Sequence, residues 1–473
     1  MKSLPGQKAR NKMRMKVLTV CITIMLSVAV LCSLAACSGN AGPAFKYETD
    51  ATLDALIRQE APLYPAVSLA VFSDAHLYDP SLGTEGQAFE DYLSSDRKLL
   101  RESAEIIEAA VEEIIHEDAP IVLVPGDMTK DGERVSHELA AGYLARLENS
   151  GKRVYVIPGN HDVENGHSFR YEGSKVERVP TVTAGEFATI YGEFGYEEAL
   201  YRDPDSLSYV AELDNGLWLL ALDSCLYREN VDNEEPMTDG RFAPATLEWM
   251  EEMLVKAAKE GKAVIAMMHH GVVEHYIGQE KNYGEYIVDD FPEVSKLLAM
   301  YNVRLVFTGH YHAQDITVAR WNDEGKFLFD IETGSLVTYP CPYRVVNIDA
   351  SQKAEIRTGL IQSIRSYPDG FPEYARAYIT AGIEGMAIAT VEKYKVKRTD
   401  AEKLAEQVAE AFMAHFSGDE VLPAGKKALD SKGLGLPGRL VVAFRKDLVE
   451  ALWQDLEPPD NNVVLDLRTG GRE

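Results

Sequence analysis

Val154-Tyr155-Val156-Ile157-Pro158-Gly159-Asn160-His161-Asp162 decides how this chain folds, because it repeats a pattern met earlier as Ile121-Val122-Leu123-Val124-Pro125-Gly126-Asp127. In each, an apolar run of strand length is broken by Pro-Gly and followed at once by polar side chains. Runs that are apolar throughout suit strands buried on both faces. Between the two, Ser136 to Leu147 reads as a helix. Upstream, Val67 to Phe72 is a further run ending at Asp74, and Arg97 to Ile115 places Leu100, Ala104, Ile107, Val111 and Ile114 on one helical face. This βαβαβ alternation predicts a sheet covered by helices, with functional loops at the strand ends.

Later strands are expected at Leu207–Leu213, Leu217–Leu222, Ala263–Met268, Leu305–Phe307, Phe327–Ile331 and Arg344–Ile348. Asp214-Asn215-Gly216 is a hairpin turn between two of them. A helix is expected from Pro244 to Lys259. Beyond about residue 360 the pattern becomes helical. Leu404, Val408, Ala411, Phe412 and His415 share one face of a helix ending at Gly418, and His415 reads as a core residue there. A last helix is expected over Arg445–Leu456, followed by Pro458-Pro459 and a polar tail.

Five polar blocks each follow an apolar run: Asp74-Ala75-His76, Gly126-Asp127, Gly159-Asn160-His161-Asp162, His269-His270 and Gly309-His310-Tyr311-His312. Singly each is weak, since Gly-Asp after a strand is commonly a turn. Together they gather carboxylates, one amide and imidazoles in the numbers that two adjacent metal ions need. Residues i and i+2 of an extended chain point the same way, so Asp74 and His76 can reach one ion. Mixed nitrogen and oxygen donors without thiolates suit Mn, Fe or Zn. A paired-metal site can make hydroxide at neutral pH and drive attack on a phosphate ester.

In their order these blocks resemble the five motifs of the calcineurin-like metallophosphoesterase superfamily, over about residues 66 to 350. Within it, Gly126-Asp127-Met128-Thr129, Ser136-His137-Glu138 and Thr333-Gly334-Ser335 look closest to bacterial cyclic nucleotide phosphodiesterases with a helical C-terminal domain. The resemblance implies an α/β fold, a four-layer α/β/β/α sandwich over 61–360, with a smaller helical domain over 361–473. It implies two divalent or mixed-valence ions, one held by Asp74, His76, Asp127 and His312, the other by Asp127, Asn160, His269 and His310, with Asp127 bridging. His269 is preferred to His270 because the family's ligand directly follows the strand. His161 then assists the leaving oxygen, oriented by Asp162.

The implied reaction is hydrolysis of phosphodiesters, cyclic nucleotides or related small diesters, by metal-bound hydroxide. Phosphomonoesterase activity is the alternative. The superfamily's protein phosphatases carry Asp-Arg-Gly after the Gly-Asp block, whereas the matching stretch here is Lys130-Asp131-Gly132, without the phosphate-gripping Arg. A carboxylate at that place repels a dianion more than a diester monoanion, so the diester is expected. A surface binding lipoprotein without activity ranks lower, because no ligand position is lost.

Charge narrows the partners. The chain has 473 residues, is 46% hydrophobic and carries a formal charge of −27. Its first 37 residues hold six Lys/Arg and no acid, so the remainder stands at −33. Such a surface repels nucleic acid and anionic membrane as large partners. A small phosphate ester is still admitted where metal ions reverse the local potential.

The N-terminus reads as an export signal: a basic stretch, an apolar run from Val17 to Leu31, then Leu34-Ala35-Ala36-Cys37. Those four residues resemble the bacterial lipobox. That implies a signal peptide over 1–36, a diacylated Cys37, a tether and lead-in over 37–60, and a lipid-anchored protein on the extracytoplasmic face of the cell membrane. An uncleaved anchor helix is the alternative, since the run approaches spanning length. Cys225 and Cys341 read as buried thiols, His116 as a helix end, His137 as loop support or packing, and His167 and His275 as surface loop residues.

Overall fold

Two sheets collect the apolar runs. In the first, β1 (Val67–Val71), β2 (Ile121–Pro125) and β3 (Arg153–Ile157) lie parallel, and the order is β15-β14-β13-β1-β2-β3. Its other members, β13 (Pro342–Ile348), β14 (Lys353–Leu360) and β15 (Asn462–Asp466), add antiparallel, with Val67 opposite Ile348 where β1 meets β13. The second sheet runs β11-β12-β10-β9-β8-β7-β6. It comprises β6 (Tyr201–Arg202), β7 (Tyr209–Asp214), β8 (Leu217–Leu222), β9 (Ala263–Met268), β10 (Leu305–Thr308), β11 (Asp315–Trp321) and β12 (Lys326–Glu332). Here β8, β9, β10 and β12 are parallel and the outer strands antiparallel. A separate hairpin joins β4 (Phe169–Glu172) to β5 (Lys175–Arg178).

The structure, a computed structural model, describes residues 42–94, 96–232 and 234–472. The expected signal peptide and Cys37 lie outside the described residues. Met1–Ala44 and Phe45–Glu473 are distinct units, and the second holds the named strands and helices.

Side-chain alternation makes the layers. Along the second sheet Leu219, Ala221, Ile265, Met267, Phe307 and Ile331 join one core with the strands of the first sheet. Their neighbours Leu220, Leu222, Ala266, Met268, Val306 and Leu328 point the other way, into a second core with Met250, Leu254, Leu297 and Leu298. Those last four lie on the helices Pro244–Glu260 and Phe291–Met300. Period two thus sends one face to the other sheet and one to a helical layer. Across the molecule Ile107, Val111 and Ile114 of the helix Ser103–His116, with Ala140, Leu144 and Leu147 of the helix Arg134–Asn149, cover the first sheet. The result is helix, sheet, sheet, helix, as expected. At its N-terminal edge the fold takes in Phe45, Tyr47, Leu53 and Ile57, and Glu251 accepts the N–H groups of Lys46 and Tyr47, each at 2.8 Å.

Two element boundaries differ from expectation with consequences. The helix expected from Arg97 begins only at Ser103, so Arg97 and Lys98 stay in the preceding loop. The helix expected at Arg445 begins at Leu436, where Pro437 occupies the first turn that tolerates it. C-terminal to the sandwich the helices Phe371–Glu392 and Arg398–Ser417 pack together, with Leu436–Ala451 against the second. The presumed polar tail then returns as β15, burying Val463 and Leu465 at the sheet edge. Among the described residues no helix is long and apolar enough to cross a membrane.

Candidate metal centre

The five blocks sit just past the C-terminal ends of β1, β2, β3, β9 and β10, which brings loops of both sheets together. The backbone there is held in an uncommon conformation. Asp74, His76, Asp127, His310 and His312 have φ of 51°, 37°, 49°, 77° and 69°. Left-handed non-glycine residues cost about 1–3 kcal/mol each and persist only where the surroundings impose them. Two glycines allow the close approach. A Cβ on Gly159 would stand 2.1 Å from Asp127 Oδ1, and one on Gly309 would stand 2.1 Å from Ser73 Oγ and 2.4 Å from Asp74 Oδ2.

Asp74, His76 and His312 form one buried group. The Nε2 atoms of His76 and His312 converge to 3.1 Å, and Asp74 Oδ1 lies 3.8 and 3.4 Å from them. Asp74 Oδ2 accepts from Ser73 Oγ at 2.5 Å and from the His310 N–H at 3.0 Å, whereas Oδ1 is buried with no hydrogen-bond partner. A second buried group joins Asp127, His269 and His310. Asp127 Oδ2 is 3.3 Å from His269 Nε2 and 3.6 Å from His76 Nε2, so it faces both groups. Asn160 Oδ1 lies 3.2 Å from His269 Nε2. An orphaned carboxylate oxygen aimed at two converging imidazoles, and one carboxylate shared by two groups, fit a pair of cations.

His269 and His270 separate clearly. Both ring nitrogens of His270 are engaged elsewhere, Nδ1 with Ser224 Oγ at 2.8 Å and Nε2 with the Thr238 carbonyl at 2.9 Å. His269 instead points Nε2 at Asp127 and fixes its ring through Nδ1, 2.9 Å from the Pro125 carbonyl. A ligand held through its other nitrogen is the usual support for a metal-binding imidazole.

The electrostatics favour positive charge around Asp127. Burial opposes its ionisation, yet the imidazoles of His269, His161 and His76 hold it well below the usual carboxylate range. Burial likewise works against a charged His269, but Asp127 draws it up to about 9. Burial holds His76 and His310 well below the ordinary imidazole value, and it lowers His312 too. Neutral imidazoles are the form a metal binds.

His161 has a different partner from the expected Asp162. It lies with His76 and Asp127, and its Nδ1 is 2.8 Å from Asp131 Oδ1. Asp162 ties loops together instead, accepting from the N–H groups of Met128, Thr129 and Gly159 and from Thr129 Oγ1. Asp131 is therefore not a free charge facing substrate. It is buried, bonded to His161 and ion-paired with the equally buried Lys130.

Sequence reasoning missed the cations of the crevice. A cavity of about 170 Å³ is lined by Arg97, Lys98, Asp127, His161, Thr238 and Tyr286, among others. The available signal was the charged run Asp96-Arg97-Lys98 directly before Leu99-Leu100, hidden by its fit to a helical period. His275, expected on a surface loop, is instead buried, with Nδ1 2.7 Å from Asp315 Oδ1 and Nε2 3.3 Å from Asp330 Oδ2.

Residues 67–314 match the profile of the family described as calcineurin-like phosphoesterase. The chain belongs to that family. The phosphoesterase thereby belongs to a group of hydrolases with dinuclear metal centres, consistent with the two residue groups around Asp127. No curated protein matches it. Solved structures similar to it include a dimetal phosphatase from Danio rerio, at 14% identity and TM-score 0.44, covering 62% of this chain and 96% of that one. A purple acid phosphatase from yellow lupin (Lupinus luteus) is 12% identical at TM-score 0.41, covering 63% and 53%. The NAD nucleotidase of Haemophilus influenzae is 13% identical at TM-score 0.34, covering 63% and 51%. The phosphoesterase thus spans about half the length of the latter two.

Proposed function

We propose that this phosphoesterase acts on a small ester ending in a terminal phosphate, a monoester, in place of the diester suggested by its motifs. The observation that carries this reading is the pair Arg97 and Lys98 in the crevice wall beside Asp127 and His161. A monoester dianion needs cationic contacts beyond the metals, and these two side chains line the same cavity, with Asp96 3.5 Å from Lys98 Nζ. The repulsion expected from Asp131 loses its basis, because Lys130 and His161 already hold that carboxylate. The segments resembling cyclic nucleotide phosphodiesterases support loops: Ser335 Oγ donates to the Asp74 carbonyl and His137 Nε2 meets the Asp162 carbonyl at 2.8 Å. The diester reading then rests on that sequence resemblance and on the missing Arg in Lys130-Asp131-Gly132.

Asp74, His76, Asp127 and His312 would hold one ion, and Asp127, Asn160, His269 and His310 the other. Two bound divalent ions supply Lewis-acid polarisation of the phosphoryl group and an acidified water. Arg97 and Lys98 orient the phosphate against the centre, which lowers the entropic cost of an in-line approach. His161 keeps Nδ1 bonded to Asp131, so a protonated ring holds its second proton on Nε2 for the leaving oxygen. Asp131 acts through His161 as a positioning residue.

The test compares kcat/KM for p-nitrophenyl phosphate, bis-(p-nitrophenyl) phosphate and a 2′,3′-cyclic nucleotide, with Mn or Zn supplied. The monoester should be preferred by roughly tenfold or more, and Arg97→Gln should remove most of that preference, since one charge-assisted hydrogen bond is worth about 1.5–3 kcal/mol. A tenfold preference for either diester contradicts the reading. For location, the proposal is a lipid anchor at Cys37 on the extracytoplasmic face, supported by the basic, apolar and small-residue order ahead of it. An intact mass retaining Met1 argues against it.

A further inference from the structure

A second polar cluster lies behind the catalytic loops, where the C-terminal helices meet the sandwich. Asp315 opens β11, three residues after His312. His415 sits near the end of the helix Arg398–Ser417, and Glu420 follows its Gly418 cap. Asp315, His415 and Glu420 are all buried, and each brings a ligand atom within 4.8 Å of the others. His415 Nδ1 bonds Glu420 Oε1, but this pair is not self-sufficient. His415, 1% exposed, has Nε2 without a hydrogen-bond partner, and Glu420, 6% exposed, has Oε2 in the same condition. Buried polar atoms left unpaired cost about 1–3 kcal/mol each, so their occurrence on adjacent side chains calls for an occupant.

Charge points the same way. Around this group Asp315, Asp330, Glu332, Glu420 and Asp460 are buried, facing one guanidinium, Arg344, and two imidazoles, His275 and His415. Arg344 gives its N–H groups to the carbonyls of Glu332, Asp315 and Asp460, not to carboxylate oxygens. Asp460 accepts N–H groups at both oxygens, from Ile316 at 2.9 Å and Asp419 at 2.6 Å, yet burial pushes its carboxyl up to about 10 and raises Glu420 and Glu332 as well. Unpaired buried charge is expensive, and a cation offsets it. The same signature, buried imidazole and carboxylate atoms converging with some orphaned, marks the centre at Asp127.

We propose that Asp315, His415 and Glu420 bind a third divalent metal ion, separate from the catalytic pair and structural in role. Two carboxylates and an imidazole suit Zn or Mn. His275 supports Asp315 through Nδ1 at 2.7 Å, as ligating carboxylates are commonly supported. The ion ties the helix Arg398–Ser417 to the strand that follows His310 and His312. Ring contacts already bring His415 to Tyr311, between those two ligands, at 5.5 Å.

The experiment is anomalous diffraction at the metal edge on the full chain loaded with Zn or Mn, with metal analysis of wild type, Glu420→Gln and Asp127→Asn. A peak is expected among Asp315, His415 and Glu420. It should persist in Asp127→Asn, while Glu420→Gln loses about one equivalent of metal and unfolds at lower temperature. Should Glu420→Gln fail to fold, the wild-type map decides alone. No peak at these residues, or equal metal content in wild type and Glu420→Gln, overturns the proposal and leaves a proton-sharing imidazole–carboxylate pair.

Discussion

Asp131→Asn separates the orientation of His161 from its presence. Asp131 and Asp127 together raise His161 above its ordinary value against the opposing effect of burial. Asparagine keeps a carbonyl oxygen near Nδ1 but removes one of the two charges, so less of the ring is protonated at neutral pH. Positioned acid catalysis is typically worth ~10²–10⁴ in rate, and a partner that holds the ring without charge should forfeit about 10–100-fold of it. The loss should fall on phenyl phosphate, whose leaving oxygen needs a proton, and barely on p-nitrophenyl phosphate. Stability changes as well, because Lys130 is fully buried and loses its nearer carboxylate. Breaking a buried pair costs about 3–5 kcal/mol, but Glu133 remains 3.5 Å from Lys130 Nζ and should reduce that cost. Kinetics are therefore compared well below the midpoint of thermal unfolding. The assay is the ratio of kcat on the two substrates across pH. Equal losses on both, with an unmoved pH profile, would refute the assignment.

Gly159→Ala should lower metal content without removing a ligand, since its Cβ would stand 2.1 Å from Asp127 Oδ1 and must displace that carboxylate; normal metal content in a folded variant would count against the proposed bridge. His137 supplies a pH signature. Burial depresses it to about 4, below its ordinary 6.5. Between these values the unfolded chain binds the proton better, so this contribution is intact above about pH 6.5 and lost as pH falls through 4, amounting to up to about 3 kcal/mol. His137→Gln should flatten that part of the stability profile, measured by urea unfolding; an unchanged slope would assign it elsewhere.

Fully apolar strands were legible in the sequence to the residue: β8 and β9 have the expected bounds. Strands that mix charge with burial were not. In β14 Lys353, Glu355 and Arg357 alternate with buried Ala354 and Ile356, and β15 is a five-residue edge strand. Edge strands carry less apolar sequence because one side meets solvent. The five blocks could be read because each is local. The partner of His161 could not, since Asn160 to Asp162 form a turn and the Asp162 carboxylate folds back onto the Gly159 N–H. Asp131 reaches His161 only through the fold, from 30 residues back in sequence. Arg97 escaped for a similar reason: a helical period continued past the true helix start at Ser103.

Anomalous diffraction at the Mn or Zn edge, on crystals of the full chain, tests the central claim most directly. At the centre around Asp127, apart from the site proposed at Asp315, His415 and Glu420, two peaks are expected, one among Asp74, His76 and His312, the other among Asp127, His269 and His310, with Asp127 contacting both. In Asp127→Asn both should weaken, because the shared carboxylate supplies charge to each site. A single peak, or two peaks undiminished by Asp127→Asn, would contradict the account.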